Sequence, residues 1–141
     1  MKLVIKSALL LISVSLSGLT ASAEEQRSCE DIMAEGYTHG IQMLKENREA
    51  IKRFQVVSKE RRKENPSEQI ICENLEVSYD LFTAAAANAV KCHAIYLKAE
   101  KVCGEEEAER IDHNIRTCNN EKKVNARNAK KAERIYNDIC I

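Results

Sequence analysis

Six cysteines, Cys29, Cys72, Cys92, Cys103, Cys118 and Cys140, are placed almost symmetrically about two chain breakers. Cys29 and Cys103 lie nearly equidistant from Pro66, while Cys92 with Cys118 and Cys72 with Cys140 are centred close to Gly104. Pro66 is the only proline, and Gly104 the only glycine after residue 40. Folding the chain back at both points brings like-height cysteines together. An even cysteine count in a small exported chain reads as a disulfide framework. A metal-binding alternative is weaker, because neither C-x-x-C nor C-x-x-C-H spacing occurs.

Export is read from the first 23 residues. Lys2 and Lys6 precede an apolar stretch from Leu9 to Leu19, and Ala21-Ser22-Ala23 forms an A-x-A cleavage site. That stretch is too short to span a bilayer, and no later run approaches the ~20 apolar residues a spanning helix needs. No cysteine follows the cut to carry a lipid anchor. The expected mature chain, residues 24–141, fits one domain, placed in the periplasm or outside the cell.

Beyond residue 40 the chain is rich in Ala, Glu, Lys, Arg, Leu and Ile, which favour helix. In residues 29–54 an apolar line is expected at Cys29, Met33, Tyr37, Gly40, Leu44, Ile51 and Phe54, with Ser28 as N-cap. The basic run Arg61-Arg62-Lys63 suits a helix C-terminus, and Pro66 stops the helix at Asn65. A second line is Ile71, Leu75, Phe82, Ala85, Ala89, Cys92, Tyr96, Ala99 and Cys103, closed by Gly104 as a left-handed C′ residue. Glu105, Glu106 and Glu107 then suit the first turn of a third helix, with the line Ala108, Ile111, Ile115, Cys118, Ala129, Ala132, Tyr136 and Ile139. A kink is expected near Asn119-Asn120, where the apolar spacing weakens.

Each helix would span about 50 Å, and short connections imply antiparallel neighbours. The expected fold is all-α: an elongated up-down-up antiparallel three-helix bundle stapled by three disulfides. Because a disulfide needs Cα atoms within about 7 Å, helix height selects Cys29–Cys103, Cys72–Cys140 and Cys92–Cys118 from the 15 pairings six cysteines allow. Cys72 and Cys92 fall on compatible faces only if the helices supercoil left-handedly or one carries a local irregularity.

Two clusters are candidates for chemistry. His39, His93 and His113 share one height, a level at which imidazoles can hold zinc or copper, although surface histidines often share a level by chance. At mid-height Asn47, Asn88 and Asn125 are expected to meet, ringed by Lys45, Arg48, Lys122, Lys123 and Arg127. This basic waist is the first candidate for partner binding or for an anionic ligand; the plainer reading is a solvated face. Gly36 and Gly40 form a small-xxx-small pair, read first as close helix approach and second as a hinge or partner groove.

Charge is uneven along the axis. Residues 24–44, 86–104 and 105–120 together carry −5, and residues 45–85 with 121–141 carry +3. The whole chain is neutral, and the expected mature chain carries −2, which argues against general nucleic-acid binding. There is no G-x-S-x-G, H-E-x-x-H, phosphate-cradling loop or dinucleotide fingerprint, so neither catalysis nor a cofactor is expected. The expected role is an exported, non-enzymatic protein-interaction module, most concretely an envelope inhibitor or immunity protein. The alternatives are a periplasmic carrier of a metal or small anionic ligand, and an envelope stress or scaffold protein.

Overall fold

A computed structural model describes residues 27–141, so the expected signal peptide lies outside the described residues. Three long helices run in sequence: α1 (Cys29–Glu60), α2 (Glu68–Val102) and α3 (Ala108–Cys140). A 3-10 turn, Glu105–Glu107, leads into α3. The described residues contain no strand, and no helix among them is long and apolar enough to cross a membrane.

The starts of α1 and α2 are set by side-chain caps. Ser28 Oγ accepts from the Asp31 amide at 3.1 Å and donates to the Asp31 carboxylate at 2.7 Å. Ser67 Oγ accepts from the Ile70 amide at 3.3 Å. The two bonds from amides each satisfy a donor that the first helical turn leaves unpaired.

The expected end of α1 is corrected by one turn. The helix stops at Glu60, and Arg61 to Asn65 form the connection. Glu60 Oε1 accepts from the Ser67 amide at 3.0 Å, and its other oxygen meets Lys63 Nζ at 2.6 Å. This buried carboxylate ties the end of α1 to the start of α2, so the chain turns before Pro66 forces it to. Gly104 is also corrected. Its φ of −75° and ψ of 173° are extended rather than left-handed, because Cys103 has already left the helix at ψ 152°.

α2 is the central helix. Both α1 and α3 lie along it, whereas the backbones of α1 and α3 seldom approach each other. Its buried residues Ile71, Ser78, Ala85, Cys92 and Ala99 recur every seven positions, as do Leu75, Phe82, Ala89 and Tyr96. A strict seven-residue repeat winds neighbouring helices into a left-handed supercoil. α3 keeps the same repeat through Ile111, Cys118, Asn125 and Ala132, and it runs through Asn119-Asn120 as one helix.

On α1 the expected core line holds at Met33, with Cys29 and Phe54 packed against the core, but between Met33 and Phe54 it is displaced by one residue. Gly36, Met43, Ala50 and Val57 are buried, while Tyr37, Leu44 and Ile51 are exposed. The buried line is the smaller one, which lets α1 sit close against α2. Six of the buried core positions are alanine: Ala50, Ala85, Ala89, Ala99, Ala129 and Ala132. Alanine removes little apolar surface from water, far less than the ~1.5–3 kcal/mol of a large aliphatic side chain. Covalent bridges therefore carry weight in this core.

The bridges join Cys29 to Cys103, Cys72 to Cys140 and Cys92 to Cys118, with Cα separations of 5.0, 5.9 and 5.9 Å. These are the pairs that helix height selects. No cysteine among the described residues is free. Cys92 and Cys118 are buried in the Gly104-half core with Ile32, Met33, Ile95, Tyr96, Ala99 and Ile111.

Candidate partner-binding groove

The displaced α1 line has a direct consequence. With Gly36 and Met43 turned inward, Tyr37, Ile41 and Leu44 stand 66%, 48% and 45% exposed, as a ridge with helical i, i+4, i+7 spacing. Beside this ridge, α1 and α3 diverge enough to leave a groove between them. One part, about 740 Å³, is lined by Met33, Ala34, Tyr37, Tyr96 and Asn114, with Glu30, Glu106, Glu107 and Arg110 at its mouth. A smaller continuation of about 150 Å³ passes Gly40, Ile41, Leu44, Thr117 and the Cys92–Cys118 bridge. Tyr37, Tyr96 and Asn114 line both.

Gly36 seats Tyr96, which lines both parts of the groove, against α1. A Cβ on this residue would lie 2.9 Å from Tyr96 Cε2 and Cζ, so the tyrosine ring lies flush against bare backbone. Burial pushes the Tyr96 phenol above its ordinary pKa; Arg110 opposes that shift and Tyr37 adds to it. At Gly40 a Cβ would meet only Cys92 Sγ at 3.8 Å. Gly40 therefore keeps the inner groove open without being packed tight.

The mouth is acidic. Arg110 is paired with Glu107 at 2.8 Å, whereas Glu30, Glu105, Glu106 and Glu109 form no ion pair among the described residues. The inner end is closed by a polar bridge. Asn47 Nδ2 of α1 donates to Glu121 Oε2 of α3 at 3.2 Å, and Asn125 Nδ2 donates to the same oxygen at 3.2 Å. Asn125 is fully buried and also donates to the Glu121 carbonyl at 2.9 Å. The Oδ1 atoms of Asn47 and Asn125 are buried without a partner.

The expected asparagine cluster is thus divided. Asn47 and Asn125 share Glu121 on the α1–α3 side. Asn88 instead joins α2 to α1 on the opposite flank, donating to Glu46 at 2.9 Å and pairing with His39 Nδ1 at 2.9 Å. The waist cations share a height but not a face. Lys45 is two positions from buried Met43, and Lys123 and Arg127 are two positions either side of buried Asn125. A rotation of ~200° places all three on the solvent side of their helices. Arg48 follows Leu44 by one turn along the ridge, and Lys122 is half-buried. None of the five forms an ion pair among the described residues.

The histidines are likewise dispersed. His39 is held by Asn88, His93 is half-buried on α2, and His113 is exposed beside Glu109 and Arg110. Among the described residues, no group of three or more His, Cys, Asp or Glu is placed to hold a metal ion. The groove left two traces in the sequence: the Gly36/Gly40 pair, and the large apolar residues Tyr37, Ile41 and Leu44 beside the smaller buried line. Comparison with protein-family models, characterised proteins and solved structures finds no match to this chain.

Proposed function

We propose that this chain is an exported, non-enzymatic protein-binding module, in its most concrete form an inhibitor or immunity protein directed at an enzyme of the cell envelope. One observation carries the reading: an ordered ridge of large apolar side chains, Tyr37, Ile41 and Leu44, stands in solvent beside a groove on a cross-linked frame. Aromatic and aliphatic anchors of this kind, bordered by polar groups, supply most of the affinity in protein interfaces. Three disulfides fix the helices that present them, so little ordering entropy remains to be lost on binding. The disulfides and the lack of a spanning helix among the described residues are compatible with an extracellular or secreted protein.

The test uses the oxidised mature protein and the envelope enzymes encoded beside its gene. A stoichiometric complex with one of them, measured by calorimetry and accompanied by loss of that enzyme's activity, is the expected result. A metal ion or small molecule retained in native mass spectrometry, with no protein complex, would overturn the reading in favour of a carrier.

A further inference from the structure

Resting on that reading, we propose that the α1–α3 groove receives one amphipathic helix of the partner, cationic where it meets the mouth and apolar where it meets the ridge. The groove follows α1 from Glu30 to Leu44, a length of about 21 Å at helical rise. That length accommodates about four turns of a docked helix. Tyr37, Ile41 and Leu44 present knobs at the spacing that a partner helix with the same period interdigitates. Between the knobs, Gly40 leaves space over the Cys92–Cys118 bridge for an incoming aliphatic side chain.

Charge selects the occupant. Glu30 and Glu106 line the mouth without cationic partners among the described residues, and the neighbouring Glu105 and Glu109 are in the same state. Lysine or arginine on the incoming helix satisfies them, and an acidic helix is repelled. A second copy of this chain is disfavoured by the same charges. The ridge lies wholly within the half carrying −5, so pairing two ridges would superimpose two acidic halves.

The probe is a synthetic helical peptide of about four turns, with leucine at the heptad a and d positions and lysine elsewhere. A second peptide has glutamate in place of every lysine. Each is titrated into the oxidised, isotope-labelled mature protein and followed by amide chemical shifts. The lysine peptide is expected to shift residues around Tyr37, Ile41, Leu44, Asn114 and Thr117, and to bind about tenfold or more tightly than its acidic counterpart. The double variant Ile41→Asp/Leu44→Asp, at exposed positions that leave the helical spectrum unchanged, is expected to lower that affinity by about tenfold or more. The double variant Glu30→Gln/Glu106→Gln is expected to weaken binding and flatten its salt dependence.

Equal binding of both peptides overturns the proposal, as does a shift pattern centred on the Pro66 half or no binding at all. Self-association through the same residues in the absence of peptide overturns it in favour of a second copy. If the natural partner still binds the Ile41→Asp/Leu44→Asp protein, the groove proposal fails while the protein-binding reading stands. If the peptide binds as expected but no envelope protein does, the opposite holds.

Discussion

Ser78 Oγ of α2 lies 2.9 Å from the carbonyl oxygen of Ala50 in α1, with both residues fully excluded from solvent. A side chain as short as serine reaches a backbone carbonyl of another helix only where the two axes run very close. Ala50 provides that closeness, and Phe82, Ala129 and the partly buried Phe54 seal the layer. Ser78→Ala should cost about 1 kcal/mol, because the Ala50 carbonyl keeps its helical partner. Ser78→Leu should lose the same bond and add about 1–3 kcal/mol through overpacking. Equilibrium urea unfolding of the oxidised protein measures both, and equal costs would contradict the close approach.

The two glycines of α1 should respond with opposite signs. Alanine is a better helix former by about 1 kcal/mol. At Gly40 nothing opposes that gain, since the new methyl meets Cys92 Sγ at ordinary contact distance. Gly40→Ala should therefore stabilise by about 0.5–1 kcal/mol. At Gly36 the methyl would press into the Tyr96 ring, and Gly36→Ala should be net destabilising by about 1–2 kcal/mol. Thermal midpoints of the two variants, compared with the parent, decide the matter.

Acid should loosen the first corner. Lys63 and the Ser67 amide hold the Glu60 carboxyl below its usual pKa, against a smaller opposing effect of burial. A depressed carboxylate contributes stability above its unfolded value of about 4.3, and that contribution is lost as pH falls through the lower folded value. The parent should therefore be more stable than Glu60→Gln at neutral pH, with the difference shrinking toward zero in strong acid. Thermal melts across that range would show it, and a constant difference would remove Glu60 from the pH response.

Reduction should preserve helix and lower the melting temperature. The seven-residue apolar repeats remain without the bridges. The two long loops, with separations of 74 and 68 residues, are closed by Cys29–Cys103 and Cys72–Cys140. In the chain-entropy account each such closure stabilises by roughly 4 kcal/mol. Replacing either pair by alanine should leave a helical circular dichroism spectrum near room temperature and a markedly lower midpoint. Non-reducing peptide mapping of the parent checks the pairing, and a Cys29–Cys72 or Cys118–Cys140 bridge would contradict the up-down-up order.

The fold was legible where one residue type reported one physical role. Cysteine heights selected the pairings because rigid helices convert sequence distance directly into axial distance. The α2 line was legible because a helix packed on two sides keeps an apolar repeat interrupted only at Ser78. On α1 the reading slipped by one position. The inward residues Gly36 and Ala50 are small and weakly apolar, while their neighbours Tyr37 and Ile51 are large. Apolar size and burial therefore pointed to different lines. The groove was legible only in part, since it depends on how far α1 stands from α3, a distance that the pattern along one helix does not record. The waist was read from height alone, and side-chain phase distributes its cations around the molecule.

The positions of the bridges also determine what a single backbone cut can do. The start of α1 is tied to the end of α2, and the end of α3 to the start of α2. A protease cleaving the Arg61–Asn65 connection, rich in basic sites, leaves α1 attached through Cys29. One cleaving beside Gly104 leaves α3 attached through Cys118 and Cys140. Neither nick releases a fragment, and the nicked molecule retains every interhelical layer. Wherever it meets a protease, such a protein would persist in a form that runs as two pieces only after reduction.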